Sequence, residues 1–233
     1  MKKLLAILLV ATFSIAASSM ARAADDQEKL DGRLDAARSV IDSIMSVPDK
    51  AVPDSIARRA TCIAVVPGVV KGAFIVGAEY GQGVVTCRTH HGWSGPVFIR
   101  MAGGSFGFQI GGQGTDLVLV AVNDKGFQDL LHDRFKIGAD AAAAAGPVGR
   151  NAQAATDLSM RAELLTWSRS HGVFAGIDLN GISVSQNAAD TDALYGAAHP
   201  FGAILHGAVP PPPQSERFLA AIRQYFGDAE YNR

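Results

Sequence analysis

The spacing of apolar residues changes from helical near the start of the chain to strand-like further on. Over residues 27–46 apolar side chains recur every three or four positions, which predicts an amphipathic helix. The positions are Leu30, Leu34, Ala37, Ile41, Ile44 and Met45. Asp25 or Asp26 can cap this helix, and Val47-Pro48 ends it. Its polar face carries acids as well as bases, which favours a helix packed on the domain over one lying in a membrane interface.

The segment from Cys62 to Val122 predicts β-structure. Short β-branched and aromatic runs alternate there with turn residues, a pattern typical of an antiparallel meander. Fourteen of the 25 glycines lie between Gly68 and Gly126, and glycine within strands marks bends or close backbone approach. We therefore expect an α+β fold: a strongly bent antiparallel sheet, or a small barrel-like sheet, with flanking helices.

The remaining elements are shorter. Helices are expected over 54–59, 125–134, 188–195 and 202–205, and strands over 162–169, 172–178 and 181–185. The alanine run 139–145 fits a helix or a packed strand equally well. Pro210–Pro213 predicts a stiff polyproline II spacer, followed by a short amphipathic helix capped by Ser215. The expected organisation is a leader over 1–23, a domain over 24–209, and a spacer with its helix over 210–233.

The first 23 residues have the features of a signal peptide. Two lysines precede an apolar run of about 13 residues, and Ala21-Arg22-Ala23 supplies a cleavage pattern. The alternative is a retained anchor, but a span needs roughly 20 apolar residues. Cleavage near Ala23 predicts a periplasmic or secreted protein that can associate with a membrane.

Net charge excludes one class of partner. Removing the leader lowers Lys+Arg from 21 to 18 against 22 Asp+Glu, so the mature net charge is −4. That charge argues against nucleic-acid binding, which needs a strong basic footprint. It weakens general attraction to an anionic membrane but leaves room for a local basic patch.

The two cysteines, Cys62 and Cys87, lie on predicted strands. In an exported protein they can form a disulfide across neighbouring strands, which we favour. The alternative is two buried free thiols.

Three kinds of chemistry can be weighed from motifs. Gly103-Gly104-Ser105-Phe106-Gly107 fits the G-x-S-x-G pattern of a hydrolase, but the alternation after Ser105 is that of a strand, whereas a nucleophile elbow leads into a helix. The glycines at 81–83 and 111–114 lack a phosphate-loop lysine and are interpreted as hairpin turns. No histidine has metal-ligand spacing with a carboxylate or thiol partner. We therefore expect no catalysis, no cofactor and no metal.

Several short blocks, taken in order, carry a family resemblance. They are Val66–Phe74, Gly81–Val84, Gly92–Pro96, Gly103–Gly111, Asp116–Leu119, Gly146–Arg150, Ser168–Gly176 and Leu194–Gly196. In this order they resemble the SYLF domain family over roughly residues 35–207. The resemblance implies a non-catalytic lipid-binding domain. It also implies that the block around Ser105 is a strand with a structural role. Eukaryotic members of that family bind phosphoinositide membranes, and some bind actin filaments.

The resemblance also implies where lipid would bind. In the eukaryotic lipid binders an amphipathic helix at the start of the domain and basic residues contact the membrane. Carried over, this points to the helix 27–46 and to Lys29, Arg33, Arg38, Arg58, Arg59 and Lys71. The chain departs from the family in its acid-rich first helix and in His171, which stands where a lysine is common. The expected partner is anionic envelope phospholipid, bound peripherally; the alternative is an envelope scaffold that binds a protein partner and has no lipid affinity.

Overall fold

Among the described residues, five helices and ten strands have bounds that can be given. The computed structural model describes residues 25–73, 76–106, 113–123, 125–126, 128, 132–147, 162–170, 173–174 and 179–227. The helices are α1 (25–45), α2 (Asp54–Ala57), α3 (Ala188–Tyr195), α4 (Phe201–Leu205) and α5 (Glu216–Phe226), the last preceded by a 3₁₀ turn over Pro213–Ser215. The strands are β1 (Cys62–Ala73), β2 (Val76–Thr89), β3 (Gly92–Trp93), β4 (Val97–Phe106), β5 (Gln113–Ala121), β6 (Arg134–Lys136), β7 (Ala143–Ala145), β8 (Leu164–Ser170), β9 (Val173–Phe174) and β10 (Ser183–Gln186).

The strands form one strongly curled sheet, which confirms the predicted fold class. Their order is β6-β10-β4-β2-β1-β5-β8-β7, with β3 beside β2 and β9 beside β8. Among the described strands every pairing is antiparallel except that of β7 with β8. The order is not the simple meander expected from sequence, because β5 returns to pair with β1 on the side away from β2. As a result β1 lies in the middle of the sheet.

Both faces of the sheet bury apolar residues. On β1, Ile63 and Val65 point to a cluster that contains the apolar face of α1 together with residues of α2 and α5. The alternate positions Cys62, Ala64 and Val66 point to a second cluster, formed with α4, β6 and β10. The predicted amphipathic helix is therefore confirmed as α1, and it packs on the domain. Its buried positions are Leu30, Leu34, Ala37, Val40, Ile41 and Ile44.

Glycines allow β1 and β2 to approach closely where β1 changes register. The shift lies between Val65 and Val70, and Gly68 there adopts a left-handed φ of 57°. A Cβ on Gly83 would lie 2.5 Å from the Val65 carbonyl oxygen, a separation that real Cβ atoms essentially never show. The prediction of a hairpin turn at 81–83 is wrong, because these residues lie inside β2, where Gly81 and Gly83 leave space for the valines of β1.

The structure corrects the helix predicted over 125–134 and decides between helix and strand for the alanine run 139–145. Lys125, Gly126 and Gln128 are helical, but β6 already begins at Arg134, so the predicted helix ends earlier than expected. The alanine run resolves as a strand over Ala143–Ala145, paired with β8. Strand pairing with β8 outweighs the helical propensity of alanine at these positions.

The C-terminal helix is part of the main core. Phe218, Leu219, Ile222 and Phe226 are buried in the same cluster as α1. Ser215 lies at the N-cap position of α5, but its Oγ donates to the Pro212 carbonyl and does not cap the helix as predicted. Residues 210–227 thus pack as one unit with the preceding domain. In the part of the chain described, none of the helices combines the length and apolarity needed to cross a bilayer.

Candidate lipid-contact site

The two exposed basic residues of α1 lie beside carboxylates. Lys29 Nζ lies 2.5 Å from Asp25 and 3.5 Å from Asp26, one turn earlier on the helix. The hydrogen bond from Lys29 to Asp25, and then the charge of Asp25, raise the pKa of Lys29 above its ordinary value. Arg38 is paired with Asp42 at 3.4 Å. The surface of α1 therefore presents matched charges, and no row of unpaired cations.

Arg33 has a structural environment. Its guanidinium lies 2.6 Å from the Asp190 carboxylate, and only 16% of the side chain is exposed. It also lies over the Phe98 ring, 4.9 Å from the centroid. Arg33 therefore ties α1 to α3 and β4, and its charge is already engaged within the protein.

Arg58 and Arg59 differ from the α1 residues. They follow α2 directly and are exposed, and neither has a carboxylate partner among the described residues. Pro53 precedes α2 in an extended conformation, which its ring favours, and Ile56 and Ala57 are buried. The Arg58 and Arg59 amides donate to the carbonyls of Asp54 and Ile56. The backbone is thus fixed while both guanidinium groups face solvent.

Arg88 is buried next to the end of α2 and holds it to the end of α5. It is 6% exposed, and it donates to the carbonyls of Ala57, Ala60, Phe226 and Gly227 at 3.3, 3.0, 2.8 and 3.3 Å. A cation suits the C-terminal end of α5, where the helix dipole is negative and carbonyls lack helical partners. Trp93 adds an Nε1 hydrogen bond of 2.8 Å to Gly227, and its ring lies 4.5 Å from the Arg88 guanidinium. Sequence reasoning missed this role, although a lone arginine after an apolar strand run was a signal.

A cleft of about 440 Å³ lies close to α2. It is lined by Met45, Pro48, Ala51, Val52, Pro53, Asp54, Gln224 and Tyr225. Val47, between two of the lining residues, is 40% exposed. Burial and the nearby Asp42 carboxylate raise the pKa of Tyr225. The same end of the molecule therefore presents two unpaired cations and some exposed apolar surface.

Lys71 lies at the other end of β1. Its backbone pairs with Glu79 on β2 and Gln113 on β5. Nine residues of strand separate it from Cys62, a distance of up to about 30 Å. We call residues 58–62, with Arg88 and Trp93, the junction end of β1, and residues 68–73, with Tyr80 and Asp116, its distal end. The six predicted basic residues lie on different elements: three on α1, two directly after α2 and one at the distal end.

The distal end has its own exposed residues. Val70 is 52% and Tyr80 is 48% exposed, and the two are direct partners across β1 and β2. Asp116 accepts a 3.0 Å hydrogen bond from the Gly68 amide and pairs with Arg169 at 3.1 Å. This surface is more apolar than that of the junction end.

The other predicted chemistry can be located as well. Cys62 and Cys87 are direct cross-strand partners and are joined by a disulfide, with their Cα atoms 4.0 Å apart. Ser105 lies in β4, where it pairs with Gly77 on β2. Across those residues no group of three or more His, Cys, Asp and Glu side chains is placed to hold a metal ion.

Comparison with known proteins identifies the family. The Ysc84 model, described as Las17-binding protein actin regulator, matches residues 102–225, more than half of the chain. The "SH3 domain-containing YSC84-like protein 1" of Rattus norvegicus is 34% identical over 180 residues, covering 76% of this chain and 53% of the rat protein. The Homo sapiens protein of that name is 32% identical over 171 residues, 72% of this chain and 50% of its own length.

A fungal relative extends the comparison. "Protein YSC84" of Saccharomyces cerevisiae is 29% identical over 178 residues, covering 75% of this chain and 38% of the yeast protein. The chain thus spans about half the length of the mammalian relatives and less of the yeast one. It belongs to the Ysc84/SYLF domain family, whose members are generally non-catalytic binding domains.

Proposed function

We propose that this chain is an exported domain that binds anionic phospholipid peripherally through Arg58 and Arg59. One observation carries the assignment: these two are exposed and lack a carboxylate partner in the described structure, whereas Lys29, Arg33 and Arg38 each have one. The family is known for binding lipid and actin, which supports a lipid ligand here.

Physical chemistry favours two adjacent arginines for this purpose. A guanidinium is weakly hydrated and matches the geometry of a phosphate with two parallel hydrogen bonds. Each basic residue near an anionic membrane surface contributes about 1 kcal/mol, and salt screens this attraction. Arg88 bonds the carbonyl of Ala57, the residue before Arg58, and so fixes the backbone there. Lipid binding by Arg58 and Arg59 therefore does not have to order a loop, which lowers its entropic cost.

Insertion of α1 into the membrane is the less favourable route. Six apolar side chains of this helix are buried in the domain, and a membrane interface could receive them only if the helix left the core. Burying one such side chain is worth about 1.5–3 kcal/mol, so detachment would cost more than a weak peripheral contact returns. We therefore assign α1 a packing role, with membrane contact made at the junction end.

The disulfide supports an extracytoplasmic location. Cys62 and Cys87 are joined, and disulfides persist in oxidising compartments such as the periplasm. Together with the expected cleavage near Ala23, the disulfide supports our proposal that the chain acts in the envelope. Cell fractionation and N-terminal sequencing of the purified protein test the point: recovery from the cytoplasm with an uncleaved N-terminus would contradict it.

The lipid contact is tested by flotation with vesicles of neutral lipid, or of neutral lipid with phosphatidylglycerol, at low and moderate salt. The variant Arg58→Glu/Arg59→Glu is compared with Lys29→Glu/Arg38→Glu, which changes the net charge equally on α1. We expect the first to weaken binding about 30-fold or more, since two contributions of about 1 kcal/mol are lost, and the second to weaken it much less.

Two outcomes would overturn the assignment. Unchanged binding by Arg58→Glu/Arg59→Glu would remove the site. Equal losses in both variants would mean that binding follows net charge and has no defined contact. Circular dichroism and urea unfolding of both variants establish that the fold is retained.

A further inference from the structure

A second candidate surface is the proline segment before α5, which the lipid site does not use. Pro212 has φ −68° and ψ 147°, the polyproline II conformation. The sequence enforces this geometry over Pro210–Pro212, because each proline fixes its own φ and each of these residues precedes another proline. The segment is therefore extended by its own chemistry.

Exposure along the segment follows the three-residue period of polyproline II. Val209 and Pro212, three residues apart, are half-buried, and Val209 packs against the cluster that includes α4. Pro210 and Pro213 are exposed, and so are Pro211 and Gln214. One edge of this helix thus faces the protein and the other two face solvent.

The segment is held in place at both ends. A Cβ on Gly95 would lie 3.2 Å from the Pro211 Cα, so the backbone of the segment approaches Gly95 closely. The Pro212 carbonyl accepts hydrogen bonds from the Ser215 amide and hydroxyl at 2.9 and 2.6 Å. No hydrogen bond to the carbonyls of Pro210 or Pro211 occurs among the described residues. Two acceptors and the apolar edge formed by Pro210 and Pro213 are therefore available on an ordered backbone.

We propose that Pro210–Pro213, whose first three residues are extended and whose last begins the 3₁₀ turn, is a docking site for a protein that recognises polyproline II with a groove lined by aromatic rings. Such grooves receive prolines at positions i and i+3 and donate hydrogen bonds to the intervening carbonyls. Here the conformation is already fixed, so binding loses little chain entropy. This proposal is independent of the lipid contact, because it uses different residues and a different ligand.

The test is titration of the purified chain against isolated SH3, WW and EVH1 domains, followed by calorimetry. We expect at least one module to bind in the micromolar range, and Pro210→Ala/Pro213→Ala to weaken it at least about tenfold. The matched control is Pro48→Ala/Pro200→Ala, which removes two exposed prolines outside the segment and should bind as the unmodified chain does. A synthetic peptide of residues 207–214 should compete for the same module, which keeps the result interpretable if the double variant is less stable.

Failure of every module to bind, or equal binding by the Pro210→Ala/Pro213→Ala variant, would overturn the proposal. So would an equal loss in the control variant. Vesicle binding should be unaffected by Pro210→Ala/Pro213→Ala, which separates this surface from the lipid contact.

Discussion

The two ends of β1 differ in how firmly they are held. At the junction end a disulfide joins Cys62 to Cys87, and Arg88 donates to four carbonyls, which belong to α2, to Ala60 in the loop before β1, and to the end of α5. At the distal end Asp116 secures the Gly68 bend with one hydrogen bond, and Val70 and Tyr80 remain exposed. Among the described contacts, β1 thus begins where a disulfide and a buried arginine join several elements, and it ends where it pairs with β2 and β5 and accepts the Asp116 contact.

This difference bears on how each end can bind a partner. Exposed cations on a fixed backbone suit a small, strongly hydrated headgroup, because little ordering is needed on contact. The exposed apolar pair Val70 and Tyr80 is better suited to contacts with an apolar partner. The comparison predicts that substitutions at the junction end reduce stability most and that those at the distal end act locally.

The largest expected loss follows Arg88→Met. Four carbonyls lose a buried charged donor, and unsatisfied buried groups cost about 1–3 kcal/mol each, so we expect the free energy of unfolding to fall by about 3–5 kcal/mol. Urea unfolding measures the change. Arg100→Met is the control, since Arg100 is exposed and its hydrogen bond is to Asn187. A loss below about 1 kcal/mol for Arg88→Met would mean that the junction end is held by other contacts.

The next largest loss follows Cys62→Ala/Cys87→Ala. The bond closes a loop with a sequence separation of 25, and removing it should lower the free energy of unfolding by about 3 kcal/mol. The unmodified chain in reductant should approach the same value. Reductant should leave the double variant unchanged, and equal stability of oxidised and reduced protein would show that the bond contributes nothing.

A smaller loss is expected for Gly83→Ala, between the two ends. The new Cβ would collide with the Val65 carbonyl oxygen, and overpacking of this kind costs about 1–3 kcal/mol. Gly114→Ala is the matched control on β5, because the nearest atom to its Cβ would be 3.8 Å away. Equal stability of the two variants would show that β1 can shift away from β2.

The smallest effect is expected for Asp116→Ala at the distal end. The Gly68 amide and Arg169 lose an acceptor, and both contacts are partly exposed, so the cost is about 1 kcal/mol. Hydrogen exchange at Gly68 should become faster while exchange in the Cys62–Val66 segment stays slow. Faster exchange along the whole of β1 would contradict the contrast between its ends.

The sequence predicted the elements whose pattern is local. The 3.6-residue period located α1, and the helix expected over 188–195 is α3. Repeated glycines predicted a bent sheet because backbone approach and bending require small residues. These signals depend on neighbouring residues, so they can be read without knowing the tertiary structure.

Other features depend on partners distant in sequence. Nothing local to Arg33 indicates that Asp190 lies beside it, and nothing local to Arg88 indicates that the end of α5 lies above it. The six basic residues could be chosen from the family resemblance, but only the fold shows that α1, the junction end and the distal end are separate. The packing of α5 was missed for the same reason, since its amphipathic pattern does not say which surface covers it.

Burial on both faces of β1 has a consequence for how the strand finds its correct alignment during folding. In a sheet with one solvent-exposed face, a register shift of one residue exposes apolar side chains to water and is therefore unfavourable. In Cys62–Val66 every residue is buried, so such a slip would exchange one apolar surface for another at little cost. The register must then be set by features tied to single positions. These are the Cys62–Cys87 disulfide, the bend at Gly68 and the spaces left by Gly81 and Gly83. The cysteines and glycines of this hairpin thus act as position markers for a strand whose hydrophobicity alone does not specify its register.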